Sequence, residues 1–544
     1  MKFLIALLIL IFPLFSFAVP FESQKFSIAA PSPWAVKAAE ATFKKGGNVA
    51  DMAVAAALTL SVTSPYYAAL GGGGFALIKM KNEVEALDFR ETAPAATNAN
   101  YYSEKEKGAS ETGGTAVGVP GVPAGLVAIH KKYGKLKWNQ LFGTALSLAQ
   151  KGMPLSGEWI RYTREEDKRF TAAAKRYFTK TPEAYAPGDE FKQTALARAL
   201  TILRDQGAKG FYEGPVAQDL VASVKNAKGE MSLEDLKKYR VRWLKPLQMN
   251  YSGYTVHMMP PPSSGGIVMM SALKLFELGK LNEITPQSGD EYHFIGEILK
   301  RAFRGRTLLG DPDFANNPIA QLTSETYLKQ QLKEISASKA KDVEPVDLNS
   351  FDSTETTHFS IMTANGDAIA FTVTLNGAYG SGVVSERFGI ALNNEMDDFT
   401  TKPGEPNQFG LIQGDANKVE AGKRPLSSMS PTIVEKDGKT ELVLGSPGGP
   451  RIISAVTQVL YRFLITKMNI DAAIQAPRVH HQTLPNKLFI DPLRFQHETK
   501  EFLKRKGHVV EESPVAKVYG VAKHPSGWMQ SAFDSRGEGA AGGL

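Results

Sequence analysis

Cysteine is absent from this 544-residue chain. Thiol nucleophiles, zinc–thiolate centres, iron–sulfur clusters and disulfides are therefore excluded, and any nucleophile is an oxygen or a nitrogen. Long apolar runs are also missing: only residues 3–17 are nearly all apolar, shorter than the roughly 20 residues that cross a bilayer and interrupted by Pro13. The net charge of +7 is modest for the length. Its lysines and arginines are mixed with acids, as in Arg161–Arg176 with Glu165, Glu166 and Asp167. No basic stripe interleaves with aromatics, which argues against nucleic-acid binding.

What is present begins with Met1-Lys2, the apolar run, and the small-x-small pattern Ser16-Phe17-Ala18. That is the layout of a secretory signal peptide over residues 1–18, with export across the inner membrane to the periplasm or beyond. The rest of the chain carries no further membrane span and is long enough for one large layered core or two ordinary ones.

Helical spacing of apolar residues runs from Trp34 to Lys45 and from Val49 to Val62, separated by a Gly46-Gly47-Asn48 stop and cap. Four glycines, Gly71 to Gly74, precede a strand-like Phe75–Ile78. No Gly-Lys-Ser/Thr follows them, so they are read as allowing close backbone approach and not as a phosphate cradle. Residues 125–245 read as mainly helical packing mass. The run Pro260–Gly266 is either a rigid surface turn or a pocket wall. Residues 329–355 are polar and read as an exposed connector. Immediately after it, Thr357–Met362 and Ala368–Leu375 flank Asn365-Gly366 as a β-hairpin.

Thr356 thus opens a core strand at the end of a connector. Taken alone it is an ordinary strand threonine. Freed at the chain start, however, a threonine carries its own base, an α-amine of pKa near 8 beside its hydroxyl. That amine exists only after the Glu355–Thr356 bond is cut. A two-residue loop at Asn365-Gly366 would pair Thr374 with Thr357. A three-residue loop, with Gly366 in the left-handed position, pairs Thr374 with Thr356, and this second register is the expected one. His358 is read as a packed strand histidine, and the adjacent His480 and His481 point to opposite faces of a strand, so they cannot chelate one metal. No metal or cofactor is called for.

The ordered set Leu87-Asp88-Phe89-Arg90-Glu91, Pro260–Gly266, Thr356–Ser360, Thr374-Leu375-Asn376, Leu392–Phe399, Gly422–Pro431 and Gly445–Gly449 resembles the γ-glutamyltransferase family over nearly the whole chain from residue 26. The resemblance implies an N-terminal-nucleophile hydrolase with an αββα four-layer sandwich. It also implies self-cleavage into a large part, 19–355, and a small part, 356–544, that stay associated as one unit. By motif match, Thr356 resembles the nucleophile, Thr374 its positioning hydroxyl, and Gly448 and Gly449 the oxyanion donors. Arg90, Ser427 and Ser428 resemble a clamp for the donor's α-carboxylate, and Asn376, Glu395 and Asp398 the side that takes its α-ammonium. The implied substrates are glutathione and other γ-glutamyl donors, with water, amino acids or peptides as acceptors.

Two departures stand out. Residues 403–410 resemble a lid, but Phe409 stands where several relatives carry Tyr, which implies weaker shielding from water. Arg304-Gly305-Arg306 replaces the usual Ala-Asp-Arg before Leu309-Gly310-Asp311-Pro312, a change expected to alter a structural ion pair far from the chemistry. Competing readings are a glutaryl or cephalosporin side-chain acylase, a poly-γ-glutamate depolymerase, an unprocessed periplasmic binding protein and, weakest, a Ser336-x-x-Lys339 hydrolase.

Overall fold

A computed structural model describes residues 20–180, 183–341, 356–402 and 404–544. The expected signal peptide at 1–18, Glu355 of the expected cleavage pair and Pro403 lie outside the described residues. Among the described residues no helix is long and apolar enough to cross a membrane.

Alternation along the central hairpin sets the architecture. Thr357–Thr363 and Ala368–Thr374 pair antiparallel with His358 opposite Thr372 and Ile361 opposite Ile369. Odd-numbered Phe359, Ile361, Ile369 and Phe371 join one apolar core, while even-numbered Met362, Ala368 and Ala370 join another. A strand whose two faces are both buried must be covered on both sides.

One face meets helices Pro33–Lys44 and Val49–Thr63. The second helix is buried at every position, and Asn48 caps it reciprocally with Asp51, as the Gly-Gly-Asn punctuation predicts. The other face meets a second sheet, backed by helices Gly265–Leu278, Arg451–Leu464 and Ile470–Gln475. The result is helices, sheet, sheet, helices: the αββα sandwich.

Each sheet has seven strands. The hairpin's sheet runs, in order, Ala540–Gly543, Phe26–Ala30, Thr357–Thr363, Ala368–Thr374, Gly73–Met80, Glu83–Asp88 and Arg242–Leu244. Strands from before and after Thr356 therefore interleave. The two sheets approach closely enough that a side chain at Gly445 would strike the His358 ring, 2.4 Å from its Cε1. His358 is fully buried, bonded through Nδ1 to Thr372 Oγ1 (2.8 Å) and through Nε2 to Ser360 Oγ (3.0 Å). Burial pushes its pKa down to about 3, so it is neutral.

The polar connector begins later than its composition implies. Glu325–Lys333 is a helix, because Leu328 fills the core beside Leu275 and the capping hydroxyl of Ser324 accepts from the Tyr327 amide. The Pro260–Gly266 run is not a surface turn: Ser263 and Ser264 are fully buried.

The hairpin turn is a three-residue loop, with the Gly366 amide donating to Thr363 O (2.9 Å) and Gly366 at φ +86°. A Cβ there would meet only Thr440 Oγ1 at 3.8 Å, so substitution costs conformation and not space. Gly366→Ala is expected to lose about 1–2 kcal/mol of stability, read as a lower urea midpoint at unchanged slope.

Candidate active site

The register places Thr374 opposite Thr356, and their hydroxyls lie 3.2 Å apart. Thr374 Oγ1 also accepts the Asn376 amide (2.8 Å). Asn376 has a positive φ of 75°, and its side-chain amide donates to Asn394 O (3.1 Å). A bonded path thus leads from Thr356 through Thr374, Asn376 and Asn394 to Glu395.

Gly448 and Gly449 join the end of the strand Lys439–Gly445 to the helix Arg451–Leu464, at φ of 128° and 54°. Their left-handed backbone and the helix start make this turn suited to receiving negative charge. Thr356 and Gly448 line one cavity of about 490 Å³, shared with Tyr67, Glu158, Pro447 and Lys517. A shallower depression of about 730 Å³ between Leu244 and Ile319 contains none of the sequence-predicted site residues.

Arg90 is almost completely buried. Its Nη1 donates to Glu395 Oε1, its Nη2 to Asp398 Oδ2 (2.6 Å) and its Nε to Pro425 O (3.2 Å). The two expected sides of the site therefore form one ion cluster: the guanidinium expected to face a ligand carboxylate bonds the two acids expected to face its ammonium. Ser427, two residues on from Pro425, is anchored to the Pro260–Gly266 run. Its carbonyl accepts the amide (2.8 Å) and hydroxyl (2.7 Å) of Ser264, and its amide donates to Pro262 O (2.8 Å). Ser428 is buried next to it.

One guanidinium cannot neutralise all the acids around it. Glu91, 4.0 Å from Arg90 Nη1, has both oxygens buried without a donor, as is Glu395 Oε2. Burial, reinforced by neighbouring carboxylates, pushes Glu91 and Glu395 above the ordinary carboxylate range against the pull of Arg90. Arg90 itself is held more firmly charged by Glu395 and Asp398 despite its burial. Asp397, which accepts the Ser110 hydroxyl (2.7 Å) and the Gln408 amide (2.9 Å), is pushed by burial up to about 7.

Residues the sequence reading did not assign also belong here. Glu91 stands beside Arg90 in the motif itself, a signal that was available. Asn407 is less visible: its amide donates to Asp398 Oδ1 (3.0 Å), and its oxygen accepts the amides of Phe409 (3.0 Å) and Leu411 (3.1 Å). Arg306 corrects an expectation. It is buried near Asp398 and Arg90 and donates to Gln413 Oε1 (2.9 Å), while Gln413 donates to the Asp398 carbonyl. The Arg304–Arg306 segment is therefore not far from the cluster. Only Arg304 makes the peripheral pair, with Glu334 (2.7 Å). Phe409 is buried too, its ring edge 3.0 Å from where a Cβ on Gly449 would lie. The segment expected to act as a lid is thus packed down without a tyrosine hydroxyl.

A carboxyl raised above its unfolded value stays protonated in the folded chain after it would ionise in the unfolded one. Its contribution to stability therefore falls as pH rises from 4.5 upward. Glu91→Gln removes one such group, and its melting temperature is expected to drop less than wild type's between pH 4.5 and 7.5, measured by scanning fluorimetry.

The sequence model of the gamma-glutamyltranspeptidase family matches residues 35–544. The chain is 38% identical over 529 residues to a glutathione hydrolase proenzyme of Pseudomonas aeruginosa, covering 94% of this chain and 93% of that one. It is 37% identical over 530 residues to the Escherichia coli glutathione hydrolase proenzyme, covering 95% and 91%. Among solved structures, the γ-glutamyltranspeptidase of Helicobacter pylori aligns with a TM-score of 0.55 at 36% identity, over 57% of this chain and 91% of that one. A cephalosporin acylase from Bacillus halodurans shares the fold at a TM-score of 0.86 and 24% identity, over 98% of both chains. With the family match spanning almost all of the described residues, the chain belongs to the γ-glutamyltranspeptidase family.

Proposed function

We propose that this protein is an exported, self-processing γ-glutamyl transferase and hydrolase whose nucleophile is Thr356. The observation that carries the reading is the Thr356–Thr374 hydroxyl pair at the head of a buried strand, on the same cavity as Gly448.

Cleavage before Thr356 converts its amide into an amine, which takes the hydroxyl proton as Oγ1 attacks the γ-carbonyl carbon of the donor. The carbonyl electrons move onto oxygen, which faces the amides of Gly448 and Gly449. When the tetrahedral intermediate collapses, the C–N bond breaks and the proton on the Thr356 ammonium passes to the departing amine. The ester left on Thr356 is opened by water or by the amine of an amino acid or peptide, with the same amine of Thr356 as base. Glutathione is the natural donor class under this reading.

Recognition follows from ion exchange within the buried cluster. A donor brings an α-carboxylate for Arg90, supported by the hydroxyls of Ser427 and Ser428, and an α-ammonium for Glu395 and Asp398 with the Asn376 amide oxygen. Each charge of the donor replaces one of the same sign as a partner, so the net charge buried does not rise. A glutaryl side chain lacks the ammonium and leaves both acids without a cation, which weighs against the side-chain acylase reading. The large and small parts are proposed to stay together after cleavage, and export to the periplasm or medium rests on residues 1–18.

Thr356→Ala is expected to remain a single chain on a denaturing gel and to release no anilide from a γ-glutamyl anilide. Cleavage and turnover by that variant would refute the assignment. An intact, ligand-binding wild type would favour the binding-protein reading. Arg90→Lys keeps the charge but loses the fork, and its kcat/KM is expected to fall by about 10- to 100-fold, the loss of one charge-assisted hydrogen bond. Steady-state kinetics should show most of that loss in KM.

A further inference from the structure

The lid segment lacks a tyrosine hydroxyl, yet Phe409 is packed against Gly449. A chain of side chains outside the site described above reaches it. Ser454, in the first turn of the helix that follows Gly449, lies 2.7 Å through Oγ from His480 Nδ1. His480 Nε2 lies 2.9 Å from Gln482 Oε1. Gln482 Nε2 donates to the Phe409 carbonyl at 3.0 Å. All three side chains are buried.

The polarity of this relay has one solution. A carbonyl oxygen only accepts, so the Gln482 amide nitrogen must face Phe409 and its oxygen must face His480. His480 then carries its proton on Nε2, and Nδ1 accepts from the Ser454 hydroxyl. Burial and the nearby Arg451 hold His480 well below its ordinary pKa, at about 3, which keeps this neutral tautomer throughout the working pH range.

We propose, on the functional reading above, that Gln482 is a positioning residue. Through Ser454 and His480 it ties the lid backbone at Phe409 to the helix that begins at the Gly448–Gly449 turn, and so sets how far water competes with an amine acceptor for the acyl-enzyme. The tether acts on the main chain and does not depend on the residue at 409 having a hydroxyl. It also couples lid and oxyanion turn mechanically, since the relay starts one helical turn from Gly449.

The test compares wild type, Gln482→Glu, Gln482→Ala and Ser454→Ala. Gln482→Glu keeps the volume but sets a carboxylate against the Phe409 carbonyl. Amide hydrogen exchange of the peptide spanning 404–412 reads the lid without requiring activity, and exchange in Gln482→Glu and Gln482→Ala is expected to rise about 10-fold, the loss of one buried hydrogen bond. Ser454→Ala is expected to move in the same direction by less. Partition of a γ-glutamyl anilide's acyl group between water and glycylglycine is expected to shift toward water by about 3- to 10-fold, with single-turnover anilide release changed less than two-fold. Lid exchange within two-fold of wild type in Gln482→Glu overturns the tether, and Gln482→Glu decides alone if the alanine variant does not fold. Faster exchange with unchanged partition overturns the role in acceptor choice. A wild type that releases no anilide fails the functional reading and with it the partition claim, while the exchange measurement still judges the tether.

Discussion

The register of one hairpin governs this site. Pairing His358 with Thr372 puts the even-numbered residues of both strands, Thr356 to Met362 and Ala368 to Thr374, on the face turned toward the second sheet. Thr356, His358 and Ser360 on one strand, and Thr372 and Thr374 on the other, therefore form a polar stripe between two apolar layers. A slip by one residue would turn all of them toward the helices and bring Phe359 and Phe371 between the sheets. The stripe is tolerated because it is bonded internally: His358 is satisfied by Thr372 and Ser360, and Ser360 donates to Tyr519 O of the facing sheet (3.1 Å). The nucleophile candidate inherits its direction from that stripe.

The second constraint is electrostatic. Arg90, Glu91, Glu395 and Asp398 are drawn together in a buried site, where charges are stabilised only by partners. Without a ligand, the cation and the acids serve each other, and burial with the neighbouring carboxylates raises the pKa of Glu91 and Glu395. A zwitterionic ligand presents the same two charges and can substitute for them pair by pair. A monoanionic ligand cannot do so without leaving an acid uncompensated. Under the proposed function, selectivity would follow from the balance of the cluster more than from the shape of the pocket.

What could be read in advance followed locality. The hairpin, its three-residue loop and the Asn48 cap are written in adjacent residues, and their geometry follows from turn and cap chemistry. The pairing of Thr374 with Thr356 was derivable because loop length fixes register. Arg90, Glu395 and Asp398 were legible as residue types in a motif, but the structure joins them to each other, a contact spanning more than 300 positions. Asn407, Arg306 and Gln482 are placed by hydrogen bonds that only the folded chain brings together, with no periodicity or spacing to mark them. The stretch read as connector from Lys329 misled at its start, because a helix anchored by Leu328 just before it, with Leu332 packed on the same core, runs on to Lys333.

The interleaving of strands shows what the proposed break before Thr356 would leave intact. Phe26–Ala30 and Gly73–Met80 flank the hairpin on either side, and Ala540–Gly543 lies beyond the first of them. Each part thus supplies strands whose neighbours belong to the other. Cutting before Thr356 removes no pairing among the described strands, and separating the parts would expose the apolar faces of both sheets, at about 25 cal/mol per Å² of apolar surface. The proposed break would instead change one group, from an amide that cannot act as a base to an amine that can. A fold that holds its two parts together by strand pairing, ion pairs and burial would leave the proposed new terminus free to do chemistry at a fixed address, with Thr356 Oγ1 3.2 Å from the Thr374 hydroxyl.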